Sequence, residues 1–219
     1  MSLEKLTTLS SSELSDALDS LNIEGVLLGI FPRTLNKLPM IGRAFTVRYE
    51  AYEEKPSTFK SAGNYIDAVP GGSVIVIDNQ GRNDCTTWGG ILTQVATQKK
   101  LQGTVISGAC RDIKEIHNLN YPLFSTGVTM RSGKNRVYKS TEQIPLCIQG
   151  ITIKPGDIIF GDENGVLVIP QDQLSEVTHR ALNIQKTEGE ILQSVKAGMS
   201  LEKARETHRY DQPWLSHKV

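Results

Sequence analysis

Arg111 and Asp112 stand together where an apolar run, Gly103 to Cys110, gives out. Upstream, Trp88-Gly89-Gly90 opens a stretch rich in helix-forming residues, Ile91 to Lys100. A double glycine lets the backbone turn tightly into a helix, whose first turn offers unpaired N–H groups and the positive end of the dipole. Such an end binds carboxylate or phosphate. Arg111 supplies a planar fork that matches a carboxylate, and Asp112 a hard oxygen ligand for Mg²⁺ or Mn²⁺. If the strand lies beside the helix, these groups share one space. The parts then make a pocket for a small 2-oxo acid. Its carboxylate meets Arg111 and the amides of the helix start that Gly90 opens, and its oxo group meets the metal. A Lewis acid so placed stabilises an enolate and permits cleavage of the adjacent carbon–carbon bond. An Arg-Asp dipeptide also serves as a surface ion pair or a helix cap, and a double glycine as a plain turn.

These residues need a scaffold, and the rest of the chain supplies one. Ser11–Leu21, opening on serines with Leu14, Leu18 and Leu21 in register, predicts a capped amphipathic helix. Gly42–Ala51 and Ser73–Asp78 read as strands, Ser57–Val69 as a short helix, and Gly81–Thr87 as a polar loop. Trp88–Lys100 reads as a helix and Gly103–Ser107 as a strand. Short strand-like pieces follow, ending in two apolar runs around Gly161-Asp162-Glu163-Asn164-Gly165, a hairpin signal. From Gln171 the spacing of Leu174, Val177, Ala181, Ile184, Ile191 and Val195 predicts a long helix, interrupted near Gly189 and ending near Gly198. The expectation is a mixed α/β layered domain spanning 1–219, with a helical segment 1–40, an α/β core 41–170, and a C-terminal helix and tail 171–219. Ligands of such folds sit beyond the strand ends.

Composition narrows the function classes. The 219 residues carry 24 Lys plus Arg against 24 Asp plus Glu, so charge predicts neither a nucleic-acid nor a membrane footprint. Three scattered cysteines, Cys85, Cys110 and Cys147, without CxxC spacing argue against a disulfide framework or structural zinc. The N-terminal residues lack a signal-peptide pattern, and no apolar run reaches the ~20 residues of a membrane span. A soluble cytoplasmic protein is expected. Cys110 reads as a small strand residue, His117 as a surface histidine, and His179 and His208 have no metal-spaced partner.

The ordered set PGGSVIVID, WGG, GTVISGACRD and KPGDIIFGDENGVLVIP resembles the RraA-like family, over about Gly42 to Gly198. That family includes regulators of ribonuclease E activity and class II aldolases acting on 4-hydroxy-4-methyl-2-oxoglutarate and 4-carboxy-4-hydroxy-2-oxoadipate. The resemblance implies a swivelling β/β/α-type domain, assembled as a homotrimer or hexamer with sites between subunits. It implies that Arg111 holds a pyruvate carboxylate, that Asp112 anchors the divalent metal, and that the amides of Ile91 and Leu92 bind pyruvate. It also implies that a glutamate from the neighbouring subunit's C-terminal helix completes the metal shell through water. Glu188 is the better match and Glu190 the second. At Gly90 this chain departs from the aldolases, which carry there an acidic residue thought to organise the water that protonates the enolate. It looks like the glycine variant of the regulator branch, with Asp84 a conceivable substitute. Some relatives carry a methyltransferase label, but no glycine-rich nucleotide loop follows a first strand. Two functions are therefore expected: a metal-dependent aldolase or oxaloacetate decarboxylase, or a non-catalytic regulator binding ribonuclease E.

Overall fold

The structure, a computed structural model, describes residues 3–34, 37–54 and 63–214. In chain order it contains a 3-10 turn (Leu3–Thr8), α1 (Ser11–Asp19), β1 (Val26–Leu27), β2 (Phe31–Pro32), β3 (Met40–Ala51) and a 3-10 turn (Asn64–Ala68). Next come β4 (Ser73–Trp88), α2 (Gly90–Gln98), β5 (Gly103–Cys110), α3 (Ile113–Asn118), β6 (Leu123–Val128) and β7 (Val137–Glu142). The chain closes with β8 (Leu146–Ile148), β9 (Ile151–Ile153), β10 (Ile158–Asp162), β11 (Gly165–Ile169), α4 (Leu174–Lys196) and α5 (Leu201–Thr207). These elements fall into two compact units, Gly25–Gln171 and Met1–Glu24 with Asp172–Val219. Residues 25–34 and 37–40, expected with the N-terminal helical segment, thus belong with the sheet.

In the sheet unit the strand order is β1-β11-β10-β3-β4-β5-β6-β2, with β7 pairing the far half of β3. The middle four, β3 to β6, are parallel, and the outer strands pair antiparallel. The path's two ends, β1 and β2, are only Leu28, Gly29 and Ile30 apart in the chain, so the sheet curls back on itself. Strand side chains alternate between two cores. Phe45, Val47, Ile75, Ile77 and Ile106 face a core completed by Leu92, Val95 and Ala96 of α2 and Ile116 of α3. Ala44, Val74, Val76 and Val105 face the other, which the β8–β9 hairpin closes with Leu146, Ile148 and Ile153. Burial on both faces explains why the central strands read as near-continuous apolar runs.

Several expectations change on the structure. The loop expected at Gly81–Thr87 lies within β4, but the ladder is broken there: β4 advances from Asp78 to Trp88 while its partner advances only from Ser107 to Cys110. Gln80 and Gly81, at φ 55° and 69°, turn the excursion out of the sheet. β5 runs through Cys110 rather than stopping at Ser107, which brings Arg111 directly onto the strand end. Of the helix expected over Ser57–Val69, only Asn64–Ala68 is helical among described residues, as a 3-10 turn; residues 57–62 lie outside them. The hairpin around Asp162 forms with Asp162 opposite Gly165.

The helical unit is built on α1 and α4. Ser10 caps α1 with a reciprocal pair: its hydroxyl accepts from the Glu13 N–H at 3.3 Å, and Glu13 Oε2 accepts from the Ser10 N–H at 2.7 Å. Leu14, Ala17 and Leu18 are buried, and α1 packs on α4, whose buried stripe includes Val177, Ala181 and Ile184. Arg180 of α4 donates to the Ser20 carbonyl at 2.9 Å, beyond the end of α1. Contrary to expectation, α4 passes through Gly189 unbroken and ends at Lys196, where Gly198 at φ 98° turns the chain into α5.

Candidate functional site

Trp88 seats the site. Its indole is buried, stacks on Tyr121 at 6.0 Å, and donates to Thr93 Oγ1 at 2.9 Å. Thr93 Oγ1 donates in turn to the Gly89 carbonyl at 3.0 Å. The Trp88 carbonyl accepts the Arg111 N–H at 3.1 Å, so the end of β4 and the end of β5 are locked side by side. From this junction Gly89 runs extended into α2, whose first turn faces the Arg111-Asp112 pair.

Asp112 is held from both sides. Its Oδ2 accepts the Gly90 N–H at 2.8 Å and lies 3.6 Å from Arg111 Nε. Its backbone is left-handed, φ 59° and ψ 41°, a conformation uncommon for a non-glycine residue and one that clusters at functional sites. The carboxylate nevertheless stays 46% exposed, so it is oriented without being consumed by the interior. Hydrogen bonding behind a ligating carboxylate is the usual way such a group is aimed.

Arg111, Asp112, Gly89, Gly90, Ile91 and Leu92 line one cavity of about 410 Å³. The sequence pair and the sequence helix start are thus brought together. The Gly90 N–H, expected among the donors to a ligand carboxylate, is engaged by Asp112 Oδ2. Distant segments complete the wall, and none was singled out in the sequence. Tyr49 comes from β3, Thr86 and Thr87 from β4, Ser132, Gly133 and Lys134 from the turn after β6, and Val137 from β7. Gly133 fits because a Cβ there would lie 2.3 Å from the Thr86 carbonyl oxygen. The Arg-Ser-Gly-Lys-Asn run at 131–135 is a turn signal, but only the fold carries its lysine to this cavity.

The remaining candidates sort plainly. Asp84 is exposed and does not line the cavity. Cys110 is buried against Ser125, and burial pushes its thiol up, as suits a structural residue. His117 Nε2 bonds the Arg33 carbonyl. Glu188 and Glu190 lie on α4 in the helical unit. Glu190 is engaged by Lys186 at 3.8 Å and by His208 Nδ1 at 3.4 Å. Burial first, then the charges of Glu13 and Asp16, push the Glu188 carboxyl up.

Among the described residues no three or more His, Cys, Asp or Glu side chains are grouped to hold a metal ion. One oriented carboxylate fits a hard cation that keeps several waters and takes further oxygens from a ligand, as Mg²⁺ does. It does not fit the three or four protein ligands of zinc. Nor is any described helix long and apolar enough to cross a membrane.

A family model described as RraA-like, Aldolase/RraA, matches residues 11–168. Protein DlpA of Legionella pneumophila is 52% identical over 213 residues, which is 97% of this chain and 34% of that protein, so the chain spans about a third of that relative's length. The "Putative 4-hydroxy-4-methyl-2-oxoglutarate aldolase" of Halalkalibacterium halodurans is 35% identical over 176 residues, 80% of this chain and 79% of that protein. Among solved structures, an uncharacterized protein from Pseudomonas syringae pv. tomato is 45% identical with a TM-score of 0.86, covering 94% of this chain and 92% of that one.

Proposed function

The chain belongs to the RraA-like family, and from that premise we propose that it is a divalent-metal-dependent lyase that binds a 2-oxo acid and cleaves the carbon–carbon bond next to the carbonyl. The observation that carries this reading is the convergence of Arg111, Asp112 and the first turn of α2 on one cavity. Arg111 orients the substrate carboxylate by its fork, and the Ile91 and Leu92 amides take the remaining charge. The Gly90 N–H holds the Asp112 carboxylate that would carry the cation. A Mg²⁺ or Mn²⁺ ion bound at Asp112 supplies Lewis-acid polarisation of the 2-oxo group. Glu188 of a neighbouring copy closes the hydrated shell; Glu190 suits the role less, because Lys186 and His208 already engage it.

Gly90 bears on both reactions. Aldol cleavage and decarboxylation of an oxaloacetate-type acid each leave a pyruvate enolate that takes its closing proton from water, and Gly90 offers no side chain to organise that water. Decarboxylation is the simpler reaction to test, because it has no hydroxyl proton to remove as well. Gly90 also supports the second reading, a regulator that acts by binding ribonuclease E, since a protein without turnover does not need the acid.

Pyruvate release from oxaloacetate, with Mg²⁺ or Mn²⁺ and with chelator, tests the proposal. Release above the free-metal background is expected, lost with chelator and reduced about a hundredfold or more in kcat/KM by Arg111→Ala or Asp112→Ala. Release no faster than free metal, unmoved by either substitution, would leave the regulator reading in its place.

A further inference from the structure

The turn after β6 forms a part of the cavity wall that the Arg111-Asp112 pair leaves without a role. Its run Arg131-Ser132-Gly133-Lys134-Asn135-Arg136 holds three cations and no acid, and Ser132, Gly133 and Lys134 line the cavity. The turn is fastened where it stands. The Thr86 N–H donates to the Arg131 carbonyl at 3.0 Å, and the Val137 N–H to the Gly133 carbonyl at 2.9 Å. The Lys134 N–H donates to Ser132 Oγ at 3.1 Å, and Arg136 Nη1 to the Ser132 carbonyl at 3.0 Å. The backbone under Lys134 is therefore placed in advance of a ligand, which lowers the cost of binding one.

β4 ties this turn to the Arg-Asp pair. Thr86 holds the turn, and the Trp88 carbonyl holds the Arg111 N–H. The two anchor points are two residues apart on one strand, at most about 7 Å. A small molecule with an anionic group at each end reaches both. The hydrocarbon of this wall is largely covered, since Tyr49, Trp88 and Val137 are 0%, 2% and 4% exposed. What the wall offers a ligand is polar. Ser132 Oγ accepts from the Lys134 N–H, so its own proton remains to be donated. Thr87 Oγ1 is buried and has no hydrogen-bond partner among the described residues, an unmet group in the wall of the cavity.

Resting on the 2-oxo-acid reading, we propose that Lys134 is a specificity-determining residue of the site. With the hydroxyls of Ser132 and Thr87 it receives the carboxylate that lies farther from the oxo group. Arg111 reads what every 2-oxo acid carries, and Lys134 what only the dicarboxylic ones carry. In oxaloacetate the farther carboxylate is the one lost, so Lys134 serves binding there and not the bond-breaking step.

Calorimetric titration of the Mg²⁺-loaded protein with pyruvate, 2-oxoglutarate and 2-oxoadipate tests this, repeated on Lys134→Ala, Lys134→Arg and Arg111→Ala. The better-fitting dicarboxylate is expected to bind about five- to tenfold more tightly than pyruvate. That is the scale of a charge-assisted hydrogen bond, discounted because Lys134 is exposed. The ratio should fall close to one in Lys134→Ala with pyruvate affinity kept, and survive in part in Lys134→Arg, which keeps the charge. Arg111→Ala should weaken all three ligands. Dicarboxylates no tighter than pyruvate, or a ratio that Lys134→Ala does not move, overturn the Lys134 assignment. The 2-oxo-acid reading then stands on pyruvate binding and its loss in Arg111→Ala. Equal loss of all three ligands in Lys134→Ala makes its role structural and overturns the assignment as well. A preference lost in Lys134→Ala while Arg111→Ala changes nothing keeps the Lys134 subsite and removes Arg111 from the substrate. Binding of none of the three removes both.

Discussion

Gly89 shows how closely the Arg-Asp pair is seated. A Cβ at that position would lie 2.6 Å from Asp112 Oδ2 and 3.2 Å from Arg111 Cγ and Nε, distances that require the pair to move. Gly89→Ala should therefore break the Gly90–Asp112 hydrogen bond, cost about 1–3 kcal/mol of stability, and abolish metal-dependent pyruvate release. Urea denaturation and the oxaloacetate assay check both, and a variant matching the parent in each would show that the pair is not so confined. Gly90 is different, since a Cβ there meets the flexible Glu115 side chain at 3.2 Å. The steric demand thus falls on the first glycine of the pair, which the sequence alone did not distinguish from the second. The Arg-Asp dipeptide and the helix start were legible because each is local. Tyr49, Lys134 and Val137 were not, because only the pairing of β7 with β3 and the turn after β6 bring them to the cavity.

At the scale of elements, α4 makes the competition between local propensity and packing visible. Gly189 was expected to interrupt the helix, and a helical glycine does cost roughly 0.5–1 kcal/mol relative to alanine. The helix nonetheless continues, with Thr187 and Ile191 buried on either side of the glycine. A Cβ at Gly189 would meet nothing within 4 Å. Gly189→Ala should therefore raise stability by about 0.5–1 kcal/mol in chemical denaturation, and a loss would mean that the open space at Gly189 is needed. Charge sets a second prediction in the same unit. Burial, then the neighbouring Asp19, push the Asp16 carboxyl above its ordinary value. An acid whose pKa is raised on folding holds its proton more tightly in the native state, so stability is lost as pH rises from the unfolded value through the folded one. Asp16→Asn should match the parent at acid pH and gain a few tenths of a kcal/mol by neutral pH, a modest amount because the group is partly exposed. Melting curves at pH 3 and pH 7 read the difference, and a gain at pH 3 alone would reverse the sign argued here. The α1 cap and the β10–β11 hairpin were legible because their signals are short-range. The broken ladder of β4 was not, because Gln80 and Gly81 read as a loop whether or not the chain rejoins its sheet.

At the scale of the whole molecule, the proposed site draws on more than one copy of the chain. Within one copy the cavity supplies Asp112 as its carboxylate, and no larger acidic group stands beside it among the described residues. If Glu188 of a neighbour completes the shell, each working site needs Asp112 from one copy and Glu188 from the next. Asp112→Ala and Glu188→Ala should then each be inactive alone, yet regain activity when unfolded, mixed in equal amounts and refolded together. With random assortment around a ring, a site intact in both residues arises roughly one time in four whatever the ring's size, so recovery should approach a quarter of the parent rate. A mixture as inactive as its components would place the second carboxylate within the same copy or remove Glu188 from the site. Activity in Glu188→Ala by itself would show that Asp112 and its waters suffice. The quarter-strength outcome is specific to sharing between copies, because neither partial activity of one variant nor simple dilution depends on refolding the two together.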